Sequence, residues 1–312
     1  MSFKQELQHA FEQLGQHENL VYLTSDVGKS VNADSFKESF GERFINVGIA
    51  EQNAICMSAG LASEGYTVLL SAYAVFASGR GWELVRNYIC YPRLNVKIIA
   101  THGGLNVGQD GVTHQATEDI AIMRAIPNMT VMVVADPAQS LEAIQAAIET
   151  QGPVYLRFGR SDMGSYHHTS QWQAGKSEIL TNGNDVSIIA SGLMVKVALN
   201  AAEALEKQGV SCRVIDMRSI KPLDTEAVLK AASETSLIVT AEDHSIIGGL
   251  YGAVSELLAP MNTGTAVVPV GVRDCFAESG DGLKVMKKYG LDKESIIDAV
   301  VGNYIRKGIH HA

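Results

Sequence analysis

Phe44-Ile45-Asn46-Val47-Gly48-Ile49-Ala50-Glu51-Gln52-Asn53-Ala54-Ile55-Cys56-Met57-Ser58-Ala59-Gly60 is the stretch from which the fold can be read. Its apolar start has strand-like composition and breaks at Gly48. From Glu51 onward, small residues at helical spacing, Ala54 and Ser58 among them, permit a closely packed helix. A carboxylate thus stands at a strand-to-helix turn among apolar neighbours. Desolvation in such a place lets a carboxyl group exchange a proton near neutral pH, so Glu51 is a candidate acid/base. The alternative is that it only complements the partial positive charge of a helix N-terminus.

Further strand-like runs flank this stretch at Leu20 to Leu23, Val68 to Ser71, Val96 to Ala100, Val131 to Ala135 and Val154 to Phe158. Helical patterns lie around 82–90, 117–125 and 138–150, and Phe3, Leu7, Ala10, Phe11 and Leu14 give a helix at the start. Strands alternating with helices predict a doubly wound, mostly parallel α/β sheet. The sequence turns polar and aperiodic between about Met163 and Gly183, which predicts a boundary between a domain over 1–170 and a second over 183–312. The second reads as a smaller α/β series: strands Val186 to Ala190, Cys212 to Asp216, Leu237 to Thr240 and Ala266 to Val270, with helices near 194–208, 224–232 and 249–258. Pro222 precedes the middle helix and Asp224 can cap it.

With 312 residues, 46% hydrophobic and 19% charged, the chain suits two globular domains. A net charge of -9, from 25 Lys+Arg against 34 Asp+Glu, disfavours nucleic acid or an anionic membrane as partner. The four cysteines form no Cys-x-x-Cys pair, no apolar run reaches membrane-spanning length, and the N-terminus has no signal-peptide core; a cytoplasmic location is expected.

Two polar loops follow predicted strands. Thr24 to Ser30 lacks the upstream glycine of a P-loop but offers Ser30 as a phosphate contact. Thr101 to Gln115 carries His102, Asp110 and His114 among four glycines, which let the backbone approach a ligand closely. Histidines there suit proton transfer. Two histidines twelve residues apart lack helical metal-ligand spacing, and satisfied surface histidines are the remaining reading.

Ile49-Ala50-Glu51-Gln52, Tyr73-Ala74-Val75-Phe76, Thr101-His102, Asp110-Gly111-Val112-Thr113-His114-Gln115 and Phe158-Gly159-Arg160 together resemble the C-terminal half of a transketolase, over nearly the whole chain. The resemblance implies a pyrimidine-binding domain, a transketolase C-terminal domain and thiamine diphosphate as cofactor. The Gly-Asp-Gly turn and downstream Asn that hold metal and diphosphate in full-length transketolases have no match here. The resemblance is therefore to the second subunit of a split transketolase. It implies a diphosphate-binding N-terminal partner subunit holding Mg2+ or Ca2+, no metal on this chain, and a homodimeric contact giving a heterotetramer. The implied activity is transfer of a two-carbon ketol unit from a ketose, phosphorylated by expectation, to an aldose, only with the partner present.

Residue by residue, the family pattern places Glu51 at the aminopyrimidine nitrogen as a catalytic group and stacks Phe76 on the pyrimidine, with Tyr73 lining the pocket. His114 falls beside the reacting end of the donor, Asp110 at a sugar hydroxyl, and Ser30, His102 and Arg160 at a substrate phosphate. The family's N-terminal arginine has no match: Ser2-Phe3-Lys4 stands there, so either Lys4 substitutes or the substrate's tip differs, a sulfonate being one alternative. Asn106-Val107-Gly108-Gln109 also departs from the commoner acidic form. Rival readings are 1-deoxyxylulose-5-phosphate synthase, which His102 disfavours; the beta subunit of a 2-oxo acid dehydrogenase, which lacks the Asp-Gly-x-Thr-His-Gln stretch; and a non-catalytic regulatory subunit, which has no physical reason to keep a buried carboxylate.

Overall fold

The computed structural model describes residues 2–14, 17–27, 37–38, 40–160, 164–166 and 171–304; Ser30 and part of the predicted boundary stretch, 167–170, lie outside them. Its strands are β1 (Leu20–Thr24), β2 (Phe44–Asn46), β3 (Thr67–Tyr73), β4 (Val96–Thr101), β5 (Thr130–Val133) and β6 (Val154–Arg157), then β7 (Glu178–Thr181), β8 (Val186–Ala190), β9 (Cys212–Asp216), β10 (Ser219–Lys221), β11 (Leu237–Ser245) and β12 (Ala266–Val272). They form a seven-stranded sheet of order β10-β5-β6-β4-β3-β1-β2 and a five-stranded sheet of order β12-β11-β8-β9-β7. All pairings are parallel except β10 with β5 and β7 with β9. The expected doubly wound α/β architecture is what the chain adopts.

In β4 every residue is buried, as a parallel strand covered on both faces must be. Successive residues serve opposite cores: Leu69 and Ile99 join the cluster containing Phe3, Leu7, Phe11 and Ile144, while Val68, Leu70 and Ile98 join that containing Ala54, Ile55 and Ile89. The N-terminal helix Phe3–Leu14 buries the five apolar residues its spacing marked. On the other face, helix Glu51–Ser63 buries Glu51, Ala54, Ile55, Ser58, Ala59 and Ala62 along one stripe. Asp224 caps helix Thr225–Glu234 as expected, accepting from the Ala227 amide at 3.2 Å.

Several features depart from the sequence reading. β10 comes from the second half of the chain yet completes the edge of the first sheet, with Val133 N donating to Arg218 O at 2.8 Å. The stretch 82–90 is one α-turn, Trp82–Leu84, running into a π-helix, Val85–Cys90. β7 and the helices Gly282–Lys288 and Lys293–Tyr304 had no counterpart in the reading, and β11 continues past Thr240 to Ser245. Among the described residues, no helix is long and apolar enough to cross a membrane.

Candidate active site

Every parallel strand of the first sheet delivers its carboxyl end to the same edge, the usual place for ligands in an open α/β sheet. β2 leads through Gly48, which has φ +75°, into the helix that begins at Glu51. That turn is held by the Asn46 side chain, which accepts from Gly48 N and donates to Asp26 Oδ1, both at 2.9 Å. Its tightness drops Glu51 into the first helical turn, only 4% exposed. β3 ends at Tyr73 and runs directly into helix Ala74–Gly79, which carries Phe76, and β4 runs into the 102–115 loop.

The described residues among those singled out from sequence lie along one row, Ser30 being outside the described residues. Arg80 Nη1 donates to Glu51 Oε2 at 3.0 Å, and its guanidinium carbon lies 4.2 Å from the centre of the Phe76 ring. The Phe76 ring meets His114 edge-on at 5.2 Å between centres; His114 meets Tyr73 at 6.1 Å, and Tyr73 meets His102 at 4.1 Å. His114 Nδ1 is 3.0 Å from the Thr113 hydroxyl, and His102 Nδ1 is 3.1 Å from the Thr101 hydroxyl. At the far end Arg160 donates to Asp110 Oδ2 at 2.8 Å and to the Val107 carbonyl.

Two clefts open along this row. One, of about 410 Å³, is lined by Ile49, Ala50, Glu51, Gln52, Asn53 and Arg80. The other, of about 340 Å³, is lined by Lys4, Thr101, His102 and Arg160 together with Ser2, Phe3, Leu7 and Gly159. Lys4, which the sequence left undecided, thus shares a cleft with His102 and Arg160. Burial pushes His102 down to about 4, with Arg160 and His114 acting in the same direction and Asp110 against them, so its ring is neutral at pH 7. The net positive charge at this end comes from Lys4 and from Arg160, the latter partly balanced by Asp110.

A buried carboxylate near a half-buried aromatic ring has the chemistry to meet the edge and the face of an aminopyrimidine. The Arg80 guanidinium, planar and cationic, bridges the two, pairing with the carboxylate and lying over the Phe76 ring. No group of three or more His, Cys, Asp or Glu side chains among the described residues is placed to hold a metal ion. The sequence reading passed over Arg80. Its only signal was its place one helical turn beyond Phe76, i to i+4, on the face that carries the ring.

Residues 1–165 match the transketolase pyrimidine-binding domain and residues 175–296 the transketolase C-terminal domain. A Methanocaldococcus jannaschii chain provisionally described as a transketolase C-terminal section is 45% identical over 288 residues, 91% of this chain and 90% of that one. A 6-deoxy-6-sulfo-D-fructose transketolase subunit from a Clostridium strain is 38% identical over 283 residues, 90% of this chain and 88% of that one. Among solved structures, a split gene transketolase described as an inactive beta4 tetramer superposes with a TM-score of 0.90 at 43% identity, covering 98% of this chain and 99% of that one. Both halves match transketolase domains, and relatives of this identity run along nearly the full length: the chain belongs to the transketolase family.

Proposed function

We propose that the chain is the second subunit of a split transketolase: residues 1–170 bind the pyrimidine of thiamine diphosphate, residues 183–312 form the C-terminal domain, and a separate cytoplasmic subunit holds the diphosphate and its Mg2+ or Ca2+. The observation that carries this reading is the placement of Glu51 and Phe76 around one planar occupant, at 3.0 and 4.2 Å from Arg80. Thiamine diphosphate, when bound, supplies the nucleophilic carbon and the electron sink for ketol transfer. Glu51 holds a proton at the pyrimidine ring nitrogen. Phe76 and Tyr73 bind and orient the ring through their faces. His114, edge-on to both rings, holds or moves a proton at the reacting end of the sugar, and Asp110 accepts from a sugar hydroxyl.

Lys4, His102 and Arg160, with Ser30, take the anionic tip of the ketose. A neutral His102 contributes a hydrogen bond and the two cations contribute the charge. The Clostridium relative acts, by its name, on a sulfonated ketose, which supports an anionic tip without choosing between sulfonate and phosphate. The split-gene neighbour, inactive as a tetramer of its beta chain, supports dependence on a partner and a heterotetramer built on a homodimeric contact.

The test is reconstitution. The chain alone should bind thiamine diphosphate with magnesium too weakly for calorimetry, because it leaves the cofactor's charge unpaired. With the native partner captured by pull-down it should transfer ketol units from an anionic ketose to an aldose. Micromolar cofactor binding by the chain alone would remove the split-subunit reading.

A further inference from the structure

The 102–115 loop, which carries Asp110 and His114, is tied down by the second half of the chain, through residues that line neither cleft. Its two ends close on each other where Gly104 N donates to Ala116 O at 2.9 Å, and Gly103 N donates to Phe158 O at 3.0 Å. Beneath this closure lies Arg157, at the end of β6. Its Nη2 donates to Ala116 O at 3.0 Å and to Asp243 O at 2.9 Å, and its Nε donates to Asp119 Oδ2 at 2.8 Å. Asp243 stands on the extension of β11 beyond Thr240, 2% exposed, and its Oδ1 accepts from Leu105 N at 2.9 Å. Leu105 is the first residue of the 3₁₀ segment Leu105–Asp110, which kinks at Gly108 (φ +75°), so the carboxylate caps the first turn, and Asp110 follows across the kink. Gly104, at φ +81°, is required there twice over: any Cβ would overlap the Asp243 carboxylate, and the conformation is one that L side chains avoid.

The outer side of the loop is braced by the same half of the chain. Gly280 N donates to Gly108 O at 3.3 Å and Gln115 Nε2 to Glu278 O at 3.1 Å, while Gly282 lies so close to the Asn106 carbonyl that a side chain would not fit. Burial raises the Asp243 pKa, opposed by Arg157 and by the Leu105 and Asn106 amides.

We propose that Asp243 is a positioning residue: between Arg157 and the Leu105 amide it fixes the start of the 105–110 segment, and with the Gly108–Gly280 contact beyond the kink sets where Asp110 and His114 meet the sugar. It acts through the Leu105 amide and touches neither cleft. The sugar-facing part of this proposal rests on the ketol-transfer reading above; the anchoring part does not.

The experiment compares Asp243→Ala with Asp243→Asn, which keeps an acceptor of the same size. Amide hydrogen exchange, read by mass spectrometry over 103–116 in the chain alone, should speed up about tenfold or more in Asp243→Ala and stay near wild type in Asp243→Asn. In the complex with its partner, kcat/KM for the ketose should fall about ten- to a hundredfold in Asp243→Ala and recover to within about threefold in Asp243→Asn. The half-saturating thiamine diphosphate concentration should hold within about twofold in both, because Glu51 and Phe76 lie on other elements. Unchanged exchange in Asp243→Ala overturns the anchor. Equal damage in both variants, or a cofactor requirement that rises with the loss of kcat/KM, overturns the positioning role. A wild-type complex that transfers no ketol units refutes the activity reading and the sugar-facing role with it, while the exchange result still decides the anchor.

Discussion

Arg80 Nη1 lies 3.0 Å from Glu51 Oε2, so the buried carboxylate of the cleft proposed for the cofactor meets an arginine whose own side chain is about half exposed. The pairing means that the buried charge of Glu51 is balanced by a half-exposed partner, which can swing into solvent only when a proton on Glu51 or another donor takes its place. Glu51→Gln keeps the acceptor for Arg80 and removes the exchangeable proton. The complex should lose at least about 10²-fold in kcat, the cost of removing a general acid/base, with its unfolding midpoint within about 2 °C of wild type. Near-normal turnover would reduce Glu51 to a helix-terminus residue.

Arg160→Ala should raise KM for a ketose with an anionic tip about ten- to a hundredfold, and that for its uncharged analogue far less. The contact is made at the remote end in ground and transition states alike, so kcat should change little with the charged substrate. Because Arg160 also holds Asp110 at 2.8 Å, the uncharged sugar reports the loosening of that carboxylate separately. Equal sensitivity for both sugars would end the anion-cleft assignment.

His102 yields a pH dependence with a defined sign. Its folded pKa, about 4, lies below its ordinary value of 6.5, so protonation favours the unfolded chain. The stability it contributes is complete above about pH 6.5 and is lost as the pH falls toward 4. Measured by urea unfolding, the difference between wild type and His102→Gln should move against wild type by about 2 kcal/mol between pH 7 and pH 5. A pH-independent difference would mean that the ring titrates alike in both states.

Lys97 is fully buried in β4, where its ammonium donates to Asn95 Oδ1 at 2.9 Å, Thr150 O at 2.5 Å and Gly152 O at 2.6 Å. Burial pushes it down to about 7. Lys97→Met fits the volume and strands those three acceptors, so it should cost about 2–4 kcal/mol in chemical denaturation at pH 7. A more stable variant would show that desolvating the charge outweighs the hydrogen bonds.

Periodicity carried most of the fold because the cores are simple in composition. The stripe of Phe3, Leu7, Ala10, Phe11 and Leu14 and the apolar run of β4 are signals strong enough to stand without tertiary context. β11 was read short because Glu242, Asp243 and His244 look like a strand's exit. They are buried instead, with Glu242 accepting from Leu250 N and Tyr251 N at the start of the next helix. β10 is three residues long and takes its partner from the other half of the chain, a pairing no local pattern encodes. At the site, Glu51, His102 and His114 stood out in their own stretches, while Phe76 and Arg160 were singled out only through the transketolase resemblance. Arg80 and Asp243 stayed hidden because their meaning is a contact across 29 and 138 residues of chain.

The antiparallel strand Ser219–Lys221 makes the chain indivisible in a practical sense. Its removal would strip the hydrogen-bonded border from β5 and take away the Lys221 ammonium that donates to Arg124 O and Ile126 O at 2.9 and 2.5 Å. A fragment ending near residue 170 would display an apolar, unpaired strand to its neighbours, the arrangement that invites edge-to-edge aggregation. Protease nicks between the two halves should therefore yield pieces that stay associated, and melting should register a single cooperative event in place of two.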